Sequence, residues 1–168
     1  MRLLLFALLL LPTLSCKKEI TTIREVVPDN YIYGINGDTL YQSNVEKTKQ
    51  KSSEQYLSIL YANLFQSTIP PSDLAQLSEL RLASGDKQLI DELVLNNYIN
   101  GGGAIIPSDA EMRADIGQFI ENTYIRFFLR LPSPYEVYEL REMIESDLEL
   151  TPELIYQGFA LANEYQFY

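Results

Sequence analysis

What most constrains the fold of this chain is that a large part of it is written twice. The run Gln118 to Leu140, QFIENTYIRFFLRLPSPYEVYEL, echoes Gln55 to Leu77, QYLSILYANLFQSTIPPSDLAQL, without a gap. Gln55, Tyr61, Pro71 and Leu77 recur as Gln118, Tyr124, Pro134 and Leu140. Elsewhere apolar character is kept, so that Tyr56, Leu57, Leu64, Phe65, Leu74 and Leu80 become Phe119, Ile120, Phe127, Phe128, Val137 and Met143. After a two-residue slip Leu89-Ile90 matches Leu154-Ile155, and after a further slip Asn96-Asn97-Tyr98 matches Asn163-Glu164-Tyr165. A unit that recurs in this way implies a repeat fold in which each copy buries its apolar face against its neighbour.

Apolar residues at three- and four-residue spacing make the repeated unit helical. A first helix is expected from Ser52 or Ser53 to about Gln66 on the stripe Tyr56, Leu57, Leu60, Tyr61, Leu64 and Phe65. Pro70-Pro71 ends it, because proline lacks a donor and disfavours helix in the residue before it. Ser72 is expected to cap a second helix bearing Leu74, Leu77 and Leu80 and closed by Gly85. A third should run from about Lys87 to Asn97 with Leu89, Ile90, Leu93 and Val94. In the second copy Ser108 and Glu111 form a capping box that opens one long helix through Met112, Ile116, Phe119, Ile120, Thr123, Phe127 and Phe128, stopped by Pro132. Ser133-Pro134-Tyr135-Glu136 is a second box, before Val137, Leu140, Met143 and Ile144. Thr151-Pro152-Glu153 begins the last helix, with Leu154, Ile155, Gly158, Phe159 and Ala162. The expected fold class is therefore all-α, with two tandem three-helix units at residues 51–100 and 108–168. Gly101-Gly102-Gly103 makes 101–107 a joint; no Lys-Ser/Thr follows it and no strand precedes it, as a phosphate-binding loop requires.

Ahead of the repeats stands Met1-Arg2, an apolar run from Leu3 to Leu11, and Pro12-Thr13-Leu14-Ser15-Cys16 before Lys17-Lys18-Glu19. A charged start, a short apolar run and a small residue are the marks of a secretory signal over residues 1–15, too short to span a bilayer, which takes roughly 20 apolar residues. Leu14-Ser15-Cys16 resembles the lipobox of bacterial lipoproteins, although Thr13 stands where Leu is usual. The resemblance implies that Cys16, the sole cysteine, becomes the first residue of the mature chain. Its thiol would carry diacylglycerol and its amine an acyl chain such as palmitate. At about 0.8 kcal/mol per buried CH₂, such chains hold a protein on a membrane durably. Lys17 after the cysteine resembles lipoproteins passed to the outer membrane, and CKKE is similar to surface-export signals of Bacteroidetes lipoproteins. Residues 16–50 read as a flexible tether without helical periodicity. Within it Tyr31-Ile32-Tyr33 and Thr39-Leu40-Tyr41 flank the turn Asn36-Gly37-Asp38 and could pair as a small hairpin. The oxygens of that turn lack the spacing of a calcium loop.

The residues Tyr124, Phe127, Phe128, Arg130, Pro132, Glu136, Leu140, Phe159 and Tyr165 form a pattern that resembles the helical repeats of phycobilisome-linker-like and related bacterial extracellular domains. In the first copy Ser67 and Asp73 stand where the pattern has Arg130 and Glu136. The resemblance implies an assembly or attachment module without catalytic residues.

The chain has no histidine and a net charge of −10, which becomes −11 when Arg2 leaves with the signal. An acidic surface repels phosphate backbones, so nucleic acid is excluded as a partner. Lack of histidine and of a free thiol removes Ser-His-Asp triads, Cys-His dyads and the usual zinc sites. Paired carboxylates remain, Glu111 with Asp115 and Glu145 with Glu149, each four apart; they read as solvated acidic faces rather than glycosidase pairs. Neither a cofactor nor a metal is expected. Of the 12 tyrosines and 7 phenylalanines, most fall on the helical stripes, whereas Tyr135, Tyr138, Tyr156, Tyr165 and Tyr168 are less tied to them and could form a contact surface. The expectation is a non-enzymatic protein held by Cys16 in the outer membrane, on its periplasmic face or at the cell surface, as an accessory or scaffold for envelope protein partners. The rivals are a glycan- or small-ligand-binding lipoprotein and a carboxylate-based glycan hydrolase. Cys16→Ser should abolish acylation and leave the precursor uncleaved. Mass spectrometry of the purified N-terminus checks this, and a wild-type chain that begins anywhere other than a lipid-modified Cys16 overturns it.

Overall fold

The repeat is carried into three dimensions helix by helix. A computed structural model describes residues 40–168; the signal segment, Cys16 and most of the expected hairpin lie outside them. Seven helices follow in order: α1 (Ser53–Phe65), α2 (Pro71–Ala83), α3 (Lys87–Asn100), α4 (Asp109–Ala114), α5 (Ile116–Phe128), α6 (Pro134–Ser146) and α7 (Pro152–Leu161). Single 3₁₀ turns lie at Asn44–Glu46 and Asn163–Gln166. The first copy is α1, α2 and α3; the second is α5, α6 and α7. Even the turns agree. Gln66 and Leu129, at matched positions, are the two non-glycine residues with positive φ among the described residues, at 49° and 51°. Each is a left-handed C-cap, donating its N–H to Ala62 O or Ile125 O.

The expected long helix after Ser108 is two helices. Asp115 breaks it with φ −147° and ψ 81°, and its carboxylate accepts from Gln118 N at 3.0 Å. Ser52, its counterpart, caps α1 in the same way and shares a capping box with Gln55. An N-cap side chain that satisfies an orphan amide competes with continued helix, and at Asp115 it wins. From the short α4, Arg113 donates to Ile144 O at 2.6 Å, a carbonyl that the end of α6 cannot satisfy itself, and to Leu150 O at 3.2 Å in the loop before α7. Ser72 does not cap α2 either. The helix starts on Pro71, with Pro70 at the cap position, and the Ser72 hydroxyl donates to Asp73 instead.

The two copies share one core. Tyr56, Leu57, Leu60 and Leu64 from α1 pack in one cluster with Ile90, Val94 and Leu95 from α3, Phe119, Ile120 and Phe127 from α5, Ile144 from α6, and Ile155 and Ala160 from α7. Helices α3 and α7 pack against each other across the repeat, and Tyr56 Oη donates to Ala160 O at 3.2 Å. Some expected stripe residues stay outside: Leu80, Leu89, Leu93, Met143 and Leu154 are each about half exposed. On α3 the expected Ile90 and Val94 are buried together with Asp91 and Leu95, and on α2 the buried side chains are Ser78 and Arg81. Arg81 and Asp91 form a buried ion pair: Arg81 Nε donates to Asp91 Oδ1 at 2.7 Å and the guanidinium lies 4.5 Å from the Tyr56 ring centroid. Met143 and Leu154, which match Leu80 and Leu89, are exposed to the same degree without such a pair, so the outward leucines belong to the shared helix packing.

The joint and the end of the expected tether are both ordered. Gly102 and Gly103 adopt φ of 82° and 87°, which only glycine takes without strain, and Ile105 N then donates to Leu64 O at the open end of α1. Residues 41–50, expected as tether, lie with Lys51 against the second copy. Tyr41 N donates to Leu129 O at 2.8 Å, and Lys49 and Lys51 pair antiparallel with Tyr168 and Gln166. Single bridges of this kind are the only sheet-like contacts among the described residues.

Phe127 is 3% exposed and touches the rings of Tyr156, Phe159 and Tyr165. Phe127→Ala should cost about 3 to 5 kcal/mol and, because the core is shared, should unfold both copies in one denaturant transition. Tyr138→Ala, at a 58% exposed ring, should cost under about 1 kcal/mol. Equal small losses in the two melts would put Phe127 outside the core.

Candidate functional site

The carboxylate pairs suggested by spacing come apart. Glu111 closes the capping box of α4 and Asp115 caps α5, so they serve different helices. Glu145 is near the end of α6, 3.6 Å from Arg141, while Glu149 lies beyond that helix. No group of acidic residues suited to a metal occurs among the described residues. Of the five tyrosines set apart from the stripes, Tyr156 and Tyr165 are buried, Tyr135 and Tyr138 are exposed, and Tyr168 is half-buried.

What the fold does assemble is a charged node around Arg130. The left-handed turn at Leu129 directs Arg130 inwards, where its guanidinium takes two carboxylates at once. Glu136 accepts at 2.6 and 2.9 Å, and Glu164 accepts two bonds at 2.8 Å. Lys47, from the docked segment, donates to Glu164 at 2.7 Å. Arg130 stacks 5.0 Å from the Tyr124 ring centroid and 5.7 Å from that of Phe128. Glu136 is held at about 2, chiefly by the Arg130 hydrogen bonds, with the Ser133 amide adding to them. Burial pushes Glu164 upwards, yet hydrogen bonds from Arg130 and Lys47 outweigh it and leave the carboxyl below its ordinary value. Two carboxylates held ionised by a cation between them are the opposite of what glycoside cleavage asks of its general acid. The node also unites Arg130, Glu136 and Tyr124, three residues of the sequence pattern, in one structural role.

Beside the node an apolar groove opens between α5, α6 and α7. It is about 330 Å³, with Phe128, Leu140, Met143, Ile155 and Phe159 among its walls. Gly158 forms part of it, and nothing stands within 4 Å of where its Cβ would be. A glycine inside a helix costs about 1 kcal/mol relative to alanine, and no close packing here requires one. The matched residue of the first copy is Leu93, which stands half exposed. Glycine at this point therefore removes the side chain that its counterpart carries and leaves the groove open. Glu139, Glu142, Glu145, Asp147 and Glu149 are exposed on α6 and the loop after it, and the groove itself has no charged side chain in its lining. On the other side of the node a polar cleft of about 550 Å³ runs past Gln42, Asn44, Leu131 and Tyr135.

Sequence reasoning noted Gly158 without seeing that it opens a groove, although its alignment with Leu93 carried the signal. It missed Lys47, Lys51 and the Arg81–Asp91 pair. Those have no periodic signature, because their partners come from distant parts of the chain. No family model matches this sequence, and neither does any characterised protein or solved structure.

The Glu136 carboxyl gives a pH test. Its folded value, about 2, is depressed below the ordinary unfolded value near 4.3. Its contribution is thus fully present above the unfolded value and is lost as pH falls from about 4.5 through 2. Glu136→Gln keeps a hydrogen-bonding side chain for the capping box, as Gln55 does in α1, but cannot titrate. The stability difference between wild type and Glu136→Gln, from urea melts, should shrink across that range. A difference constant from pH 6 to pH 2 would show that Glu136 is not held by Arg130.

Proposed function

We propose that this protein is a non-enzymatic, lipid-anchored component of the bacterial envelope, held in the outer membrane through Cys16, whose helical repeats serve as an accessory or scaffold for envelope proteins. The groove of the second copy carries the reading. An apolar recess kept open by a helix-weakening glycine, on a copy whose α6 and following loop carry exposed carboxylates, suits the insertion of apolar side chains from a partner with basic residues nearby. The docked segment 41–51 supports it, since it fixes the approach from the anchor to the same copy that bears the groove. No helix among the described residues is long and apolar enough to cross a membrane, so attachment in this reading rests on the lipid. A glycan-binding role is less well supported by the groove, whose walls are almost wholly apolar, whereas sugars need hydrogen-bonding groups beside the aromatic faces.

A photoreactive residue placed at Met143, on the groove wall, should cross-link to a specific envelope protein in intact cells. The same probe at Glu79, on the exposed outer side of α2, should not. Gly158→Leu should fill the groove and abolish the Met143 adduct while leaving α7 at least as stable. Identical adduct patterns from Met143 and Glu79, or an adduct indifferent to Gly158→Leu, would remove the groove from the proposal.

A further inference from the structure

A second recess brings cations together among aromatic and aliphatic walls. It measures about 80 Å³ and lies between the docked segment, α1 and the end of α5, with Lys47, Lys51, Asn63, Arg126 and Phe127 on its walls and no Asp or Glu side chain. Lys51 is 8% exposed. Its Nζ donates to Tyr165 O and lies 4.1 Å from the Tyr165 ring centroid. No ion pair among the described residues includes it, and two of its three N–H donors make no hydrogen bond there. Arg126 spends Nη1 on Ile105 O and Tyr156 Oη, and its other N–H groups likewise have no protein acceptor. Lys47, Lys51 and Arg126 reach the recess, whereas the carboxylate that acts on Lys51, Glu164, is already ion-paired with Lys47 and Arg130, which leaves an excess of positive charge here inside a protein of net charge −10. A buried cation without a counter-ion is costly, and the cost is met by a shifted proton affinity or by a bound anion.

We propose that this recess binds a small monovalent anion, of the size of chloride or formate, with the Lys51 ammonium as its principal partner and the Arg126 guanidinium and Asn63 amide beside it. The volume admits such an ion with at most a few waters. Because Lys51 belongs to the docked segment and the other two donors to α1 and α5, the anion would hold that segment on the domain.

Thermal melts of the full chain in a non-ionic detergent test this at constant ionic strength, with sodium gluconate replaced stepwise by chloride in one series and by formate in another. Gluconate is too large for the recess and controls for general screening of an acidic protein. For the ion that binds, Tm should rise saturably, by roughly 4 °C at about five times Kd. Lys51→Met should remove the rise. Response to chloride alone would identify the ion as a halide, and response to formate alone as a carboxylate. The effect should also fade from pH 8 towards 10, because burial, with Lys47 adding to it, lowers the Lys51 amine to about 8. Lys47, Glu164, Tyr41, Tyr165 and Tyr168 are the other titratable groups around it. Superimposable curves in all three salts would overturn the proposal, and so would a rise that survives Lys51→Met. If that variant does not fold, ³⁵Cl and ¹³C-formate linewidths decide on the wild type. Broadening of one ion that vanishes between pH 8 and 10 supports the site, and broadening of neither overturns it.

Discussion

The packing of Tyr165 is the interaction on which the rest of the structure depends. The ring is fully buried where the two copies meet. It stands edge-on to Tyr56 of α1 at 5.6 Å and to Phe127 of α5 at 5.7 Å. Its hydroxyl accepts from Asn63 at 2.9 Å, and its carbonyl accepts from Lys51. One residue near the end of the described chain thus ties the first helix of each copy to the segment that precedes them both. Burial raises the Tyr165 hydroxyl well above its ordinary value, so the phenol remains a neutral partner for Asn63 throughout the physiological range. Tyrosine suits the position because it supplies a large apolar face and one polar tip with a partner in place.

From that packing follows the unequal use of charge in the two copies. The matched positions Arg81 and Asp91 in the first copy are Ile144 and Tyr156 in the second, so one copy buries an ion pair where the other buries apolar surface. Gln166, next to Tyr165, reaches back to Arg81 at 3.0 Å, so the second copy completes the polar network of the first. A buried ion pair is a weak source of net stability, since desolvation offsets most of the attraction, but breaking one partner away is costly. Such pairs therefore act mainly on geometry. Here Arg81–Asp91 links α2 to α3, and Arg130 with its two glutamates links α6 to the turn after α7, which Lys47 of the docked segment also reaches.

The groove and the charged node are both consequences of divergence between the copies. An exact repeat would carry leucine at 158 and serine at 130, with no open groove and no anchor for Glu164 and Lys47. Helix-forming positions are shared, whereas Gly158 and Arg130 stand where the first copy has Leu93 and Ser67. Asymmetry of this sort marks the second copy as the one that holds the approach segment and presents a surface.

The sequence by itself determined the all-α class, the two three-helix units, and most helix ends. These depend on local rules: apolar spacing, capping boxes at Ser108 and Ser133, and prolines that start α2, α6 and α7. It also contained the break at Asp115, because Ser52 in the other copy begins a helix, but continuous apolar spacing through Met112 and Ile116 concealed it. Tertiary structure alone decided that the copies share one core, that Leu89 and Leu93 face outwards, and that Tyr156 and Tyr165 face in. It also decided that residues 41–51 are docked rather than free. Each of these turns on contacts between residues far apart in sequence, such as Lys51 with Tyr165 or Tyr56 with Ala160, and no periodicity along one segment encodes which distant partner its faces will meet. A helical stripe states that a face is to be buried, and only the assembled fold, with its ion pairs and chain approach, states against what.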